Sequence, residues 1–314
     1  MKNKREFKFK PLMTVLFILL CVYALSMILV LGWGFLTSLK HYSNFRADPV
    51  GFPDFSYWAN SKIQGEDKWY SNYVFAWNNF EMKLSSSFFE GVFNPKRVTH
   101  RAEVGFFDAL LNTLLYAGVS SVLATITPCI VGYMCSKYKN KFSTFINTLV
   151  VFVMVLPLFG TTPAMITLFR QIGVFDSHFG PWLTSCTFAN MYFLIFYGAF
   201  EGLSDTYTEA AEIDGASQLR VLVSIAIPLV SKMIATSILL HFVSFWNDYS
   251  VSVVFLRTKP TLAYAVYYSI QHGFSGQVPK KLAALMMLAI PILILFIIFK
   301  NRLMGNISIG GIKE

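Results

Sequence analysis

The chain has 314 residues, of which 55% are hydrophobic and 14% charged, with a formal net charge of +9. Ordinary soluble domains carry about 25% charged residues, so a chain this apolar would have to hide more surface than its volume allows and reads as a membrane protein. The excess of cations contains no basic helix interleaved with polar readers, which excludes nucleic acid as a partner and leaves topology anchors at the membrane faces.

A bilayer core of about 30 Å needs about 20 apolar helical residues. Six segments qualify, so the expected fold class is an all-α membrane protein of six transmembrane helices. In chain order, residues 1–11 form a basic tail with Lys2, Lys4, Arg5, Lys8 and Lys10, expected in the cytosol. The first span, 12–38, has the basic flank of a signal peptide, but its apolar part is too long and no A-x-A site follows, so it is expected to stay uncleaved. Residues 39–105 form a long outside loop, in which about Met82 to Glu103 looks like an insertion. The second span is 106–135, followed by a cytosolic loop at 136–144 carrying Lys137, Lys139 and Lys141. The third is 145–169, with an outside loop at 170–181, and the fourth is 182–201. A cytosolic loop at 202–220 leads to the fifth span, 221–256, which is longer than one crossing needs. The outside loop 257–281 holds Arg257, Lys259, Lys280 and Lys281, which run against the charge rule. The sixth span is 282–300, and 301–314 is a cytosolic tail, so both termini are expected inside.

Small residues recur at helical spacing, Ala117, Ser121 and Thr125, then Pro128 and Gly132, and such faces let helices approach closely in lipid. Pro128 and Pro157 lie within spans, where a kink is tolerated if neighbours satisfy the freed carbonyl. Cys21, Cys129, Cys135 and Cys186 all fall in apolar runs, with neither a disulfide framework nor metal-ligand spacing. The chain has no phosphate-cradling G-x-x-x-x-G-K-[ST] loop, no H-E-x-x-H and no G-x-S-x-G, so no catalytic and no metal residues are assigned. His241, the one histidine within a span, reads as a hydrogen-bonded packing residue rather than a catalyst. Lys232 can snorkel to the cytosolic interface, and Asp248 is placed near the outer face. With no mid-membrane carboxylate or histidine relay, the energy source is expected on another subunit.

The segment Glu209-Ala-Ala-Glu-Ile-Asp-Gly215 lies between two long apolar runs. Glu and Ala are strong helix formers, and the alanines leave a smooth face for another protein's groove. Gly215 can supply the left-handed turn that ends a helix, and Ser217 can cap the next, through Leu219 to Ile227. The expected product is an elbow that pushes the fifth span as a rigid lever.

With the nine-residue gap to Ile225-Ala-Ile-Pro228, this stretch resembles the inner-membrane permease subunits of ATP-binding-cassette importers, whose motif is E-A-A-x-x-x-G, nine residues, then I-x-L-P. Ile227 stands where leucine is usual. The extension to Ala216-Ser217, the segment Ser244-Phe-Trp-Asn-Asp-Tyr249, the Asn112-Thr113 pair and the glycine-containing tail Gly305 to Lys313 are similar to the carbohydrate-uptake branch, in the subunit type of the maltose permease G subunit. The resemblance implies the type I importer permease fold. It implies a second six-span permease as heterodimer partner, an ATPase dimer and an extracellular solute-binding lipoprotein, all around a lipid bilayer. By it, Glu209, Ala210, Ala211, Asp214, Gly215 and Ala216 dock the ATPase, and Gly310 and Gly311 in the tail reach the same partner. The chain itself is expected to be no enzyme and to hold no cofactor, ATP and Mg being bound by the ATPase. Trp246, Asn247 and Asp248 admit two readings, an aromatic belt with a helix end or a pore lining or gate. In the first outside loop Trp58, Trp69, Tyr70, Tyr73 and Trp77 would either stack on sugar faces or pack against the membrane surface or binding protein. Two alternatives stand beside the sugar importer: a permease of the same architecture for another solute, and a secondary carrier working without ATP.

Overall fold

The computed structural model describes residues 11–61, 68–78, 82–85, 101–156, 160–272 and 277–304. It divides into two compact units, one of residues 1–79 with 269–289 and the other of 80–268 with 290–314. The N-terminal tail, Pro157 and the C-terminal glycines lie outside the described residues.

In the first unit, α1 (Pro11–Ser38) is apolar on every side, and residues 13–31 are exposed all round. A helix of that kind belongs in a fatty environment. Its C-terminal end is closed by side chains from downstream. The last carbonyls of a helix have no partner within it. Here the Asn72 amide donates to Ser38 O and Lys40 O, both at 2.8 Å. The Trp58 indole donates to Leu39 O at 3.0 Å, and the Tyr73 hydroxyl pairs with Ser38 Oγ at 2.6 Å. Three short helices follow α1, α2 (Tyr42–Ala47), α3 (Ser56–Ala59) and α4 (Ser71–Asn78), and the last two carry these groups. Lys40 is fully buried, its ammonium donating to Asp48 O at 2.7 Å. Trp58 and Tyr73, expected to face solutes or a partner, are thus spent on closing α1, whereas Trp69, Tyr70 and Trp77 are exposed.

The second unit departs from an all-α expectation at one place. The flanks of the insertion, β1 (Met82–Ser85) and β2 (Arg101–Val104), pair antiparallel with Met82 opposite Val104. Beyond it stands α5 (Phe106–Lys137), a continuous helix of 32 residues. The Asp108 carboxylate accepts from Gly105 N–H at 3.3 Å at its start. The small-residue stripe is buried along its length: Ala117, Ser121, Thr125, Pro128 and Gly132 all face inward. Against α5 pack α6 (Lys141–Val155), α8 (Phe179–Ser185), α9 (Met191–Glu201) and α13 (Ser231–Trp246). At Gly132 the approach of α9 is so close that a Cβ would sit 3.0 Å from the backbone nitrogen of Tyr197. Cys129 and Tyr133 join Phe196, Phe200, Val230 and Ile234 in the core around that crossing.

Three expected spans are not single straight helices. The stretch 145–169 is divided between α6 and α7 (Thr161–Gln171), which begins after Gly160 in the left-handed region at φ 77°. The stretch 182–201 is divided between α8 and α9, and Asn190 caps the second piece by accepting from Tyr192 N–H and Phe193 N–H. An 11-residue helix such as α9 is only about 17 Å long. The stretch 221–256 holds α11 (Gln218–Val221), a π turn at Leu222–Ala226, α12 (Ile227–Leu229), α13 and α14 (Ser250–Val254), with a bend of 75° between Leu229 and Ser231. Met13–Ser38 and Phe106–Lys137 are each long and apolar enough to cross a membrane, and the bent pair makes a third crossing if it counts as one span. Two helices follow, α15 (Leu262–His272) and the 27-residue α16 (Val278–Met304).

Candidate functional site: the elbow after α9

The motif segment forms α10 (Thr206–Ile213). Helix 3-and-4 spacing puts Thr206, Glu209, Ala210 and Ile213 on one face, and all four are exposed. Ala211 points the other way and is buried within the elbow. The helix ends as its sequence anticipates. Gly215 adopts φ 79°, Gly215 N–H donates to Glu212 O and Ala216 N–H reaches back to Ala211 O, both at 2.9 Å. That bond pair is the Schellman closure, which needs a left-handed residue where Gly215 stands. No atom lies within 4 Å of where a Cβ at Gly215 would be, so the turn is open to a partner. Ser217 caps α11 by accepting from Arg220 N–H at 3.4 Å.

The elbow's surface is acidic and greasy at once. Asp205, Glu209, Glu212 and Asp214 are exposed, and among them stand Ile213 at 86% exposure and Tyr207 at 57%. Leu219, at 71%, extends the apolar surface past the turn. Ile213 is thus uncovered apolar surface on an otherwise polar segment. Sequence reading named the carboxylates and alanines but passed over Ile213, whose signal was an apolar letter inside a wet loop.

Side chains at the C-terminal end of α5, Lys137 and the C-cap residue Tyr138, hold the elbow. Lys137 Nζ donates to Asp205 Oδ1 at 2.7 Å and to Leu203 O at 2.9 Å. The bond from Lys137 and its charge keep the Asp205 carboxyl below its ordinary pKa range. Asp205 sits at the N-cap of α10 without capping it: its own backbone is helical, and its carboxylate bonds Lys137. One residue on, the Tyr138 hydroxyl donates to Gln218 Oε1 at 2.6 Å, and Gln218 Nε2 donates to Glu212 Oε1 at 2.5 Å. Past the elbow the backbone is less regular. Ile227 N–H bonds Leu222 O, the five-residue step of a π turn, immediately before Pro228, which has no N–H to give.

Trp246, Asn247 and Asp248 have packing and capping geometry. Trp246 is 1% exposed and lies in the core against Phe242. Asn247 is exposed at the end of α13. Asp248 accepts from Ser250 N–H at 2.9 Å, opening α14, and from the Tyr116 hydroxyl at 3.1 Å. His241 pairs with Thr125 Oγ1 at 3.0 Å, as a packing histidine would. Asn112 and Thr113 hold the 260–262 backbone, through Pro260 O and Leu262 N–H. Two loops meet there. Asp176, itself left-handed at φ 59°, accepts from Thr258 N–H at 2.9 Å and Thr258 Oγ1 at 2.7 Å. Beside it His178 is pushed below its ordinary pKa, first by burial and then by the Lys259 ammonium, with Asp176 opposing.

Residues 124–308, which include the whole elbow, match the family described as binding-protein-dependent transport system inner membrane component. The chain belongs to that family. It is a multi-pass inner-membrane permease subunit. Among similar curated proteins is the melibiose/raffinose/stachyose import permease protein MelC of Bacillus subtilis (strain 168), 24% identical over 70% of this permease and 80% of the relative. Another is the maltodextrin transport system permease protein MdxG of the same organism, 28% identical over 64% and 74%. The fold is shared with a chain in the crystal structure of a bacterial ABC transporter involved in the import of the acidic polysaccharide alginate, at a TM-score of 0.68 and 20% identity over 92% of this permease and 95% of that chain.

Proposed function

We propose that this permease is one of two non-identical membrane subunits of an ATP-driven importer for a sugar or oligosaccharide. The printed functions of its relatives are carbohydrate uptake, which supports the solute class. In this reading six crossings leave both termini in the cytosol, the third, fourth and fifth being broken helices. An ATPase dimer binds below, an extracellular lipoprotein delivers the solute, and closure of the ATPases switches the pathway between its two openings. The chain contributes no ATP site of its own, and Gly310 and Gly311 reach towards the ATPases.

The observation that carries the reading is the elbow. An acidic helix with an outward Ile213, closed at a glycine with open space around it, lies between apolar segments of a family member. Its ATPase contacts are assigned to Glu209, Ala210, Ile213, Asp214, Gly215 and Ala216, with Ala211 as their inner support. Of the three residues considered for a pathway, Trp246 is buried, which leaves the exposed Asn247 and the half-buried Asp248 as those able to line one. The test is Glu209→Lys. The variant should insert in the membrane normally yet lose the ATPase or its coupling to uptake. Unchanged ATP-dependent uptake in reconstituted vesicles would overturn the assignment.

A further inference from the structure

Besides the short link 202–205 that joins it to α9, the elbow has two connections to the rest of its unit, and they differ in stiffness. Along the chain it continues through a π turn, Pro228 and a 75° bend before α13 begins. Irregular turns of this kind are where helices flex. Across space it is tied to two consecutive residues at the end of α5, Lys137 in its last turn and Tyr138 at its C-cap. Lys137 holds the entry to α10 at Leu203 and Asp205, and Tyr138 holds the exit at Gln218, which in turn holds Glu212 in the last turn of α10. α5 is one unbroken helix with α8, α9 and α13 packed on it.

We propose that Lys137 and Tyr138 form a strap that delivers movement of the elbow to α5, and that α13 follows through its packing instead of being pushed along the chain. The inference rests on the coupling function proposed above. The strap residues are positioning residues, since they touch neither solute nor nucleotide. Lys137 is 10% exposed and Asp205 71% at the side chain. A pair with so exposed a carboxylate adds little to stability. Its value is geometric, because the same ammonium also fixes the Leu203 carbonyl.

The first test compares the reconstituted complex of this chain, its partner permease, ATPases and binding protein with the same complex carrying Lys137→Met and Tyr138→Phe. Hydrolysis and ATPase binding should persist while solute moved per ATP falls about fivefold or more, the lower end of usual coupling effects. Lys137→Arg, which keeps the charge and the donors, should restore most of the ratio, which a role in folding alone does not predict. An unchanged ratio in the double variant overturns the strap alone. Absence of ATP-dependent uptake by the unmutated complex overturns the permease reading and the strap with it.

A second measurement needs no strap substitution. Spin labels at Leu219 and Met134, and separately at Leu219 and Leu240, are placed on a background of Cys21→Ser and Cys186→Ser, all three labelled sites being exposed. Through the nucleotide cycle the Leu219 to Met134 distance should hold within about 2 Å, the scale of small helix shifts, and should change no more than the Leu219 to Leu240 distance, which spans the π turn and the bend. The reverse pattern overturns the strap.

Discussion

Two glycines on α5 make a matched pair. A Cβ at Gly132 would meet Tyr197 N at 3.0 Å, Phe196 Cβ at 3.2 Å and Phe193 O at 3.3 Å. These are backbone atoms or the stem of a side chain, so α9 itself must give way. A Cβ at Gly118 would meet nothing within 4 Å. Replacing glycine by alanine inside a helix gains about 1 kcal/mol from backbone entropy, and that gain is common to both sites. Overpacking costs about 1–3 kcal/mol and applies only at Gly132. The entropy gain cancels in the comparison, so Gly118→Ala should be more stable than Gly132→Ala by about 1–3 kcal/mol. Relative to the unmutated chain the two changes should have opposite signs or leave Gly132→Ala near neutral. Thermal unfolding of the purified permease in one detergent, on a background of Cys21→Ser and Cys186→Ser and followed by thiol-reactive dye at buried Cys129 and Cys135, measures this. Equal midpoints for the two variants would show that the α5–α9 contact is looser than described and would refute the reasoning.

At the elbow, Gly215→Ala meets no atom and costs only the left-handed backbone, about 1–2 kcal/mol, while Gly215→Asn costs less because asparagine tolerates that region. Co-purification with the ATPase should therefore rank glycine, asparagine, alanine, and an alanine variant that binds as well as the native chain contradicts the Schellman closure. Near Asp176, His178 has a folded pKa below its unfolded value of about 6.5. Between the two values the unfolded chain binds more protons, so this stability is complete above about pH 6.5 and is lost as the pH falls through the window. The thermal midpoint of the native chain should drop further from pH 8 to pH 5 than that of His178→Gln, and parallel curves would rule the histidine out as the cause.

The elbow was legible because its chemistry is local: Gly215, Ser217 and Pro228 each dictate a backbone conformation within a few residues of themselves. The breaks were not. Hydropathy runs unchanged through Gly160, through Cys186 to Asn190 and through Val230, so composition announces one span where the backbone turns. Gly160 and the capping Asn190 were the available signals. Side-chain roles that depend on distant partners were the least visible. Ala211 and Trp246 face inward, and the residues holding Lys137 and Tyr138 lie 66 to 80 positions away along the chain. The paired flanks of the insertion were likewise hidden, since β1 and β2 are complementary only once 15 intervening residues are bridged.

The closed end of α1 has a bearing on how the protein is made. Its latches come from side chains 19 to 35 residues further along, at Trp58, Asn72 and Tyr73. When Ser38 leaves the ribosome none of them has emerged, and the greasy rod must wait with its final carbonyls facing water or the insertion machinery. Only after Tyr73 has emerged can that rim be sealed, so the earliest part of the polypeptide to enter the bilayer is not the earliest to be finished.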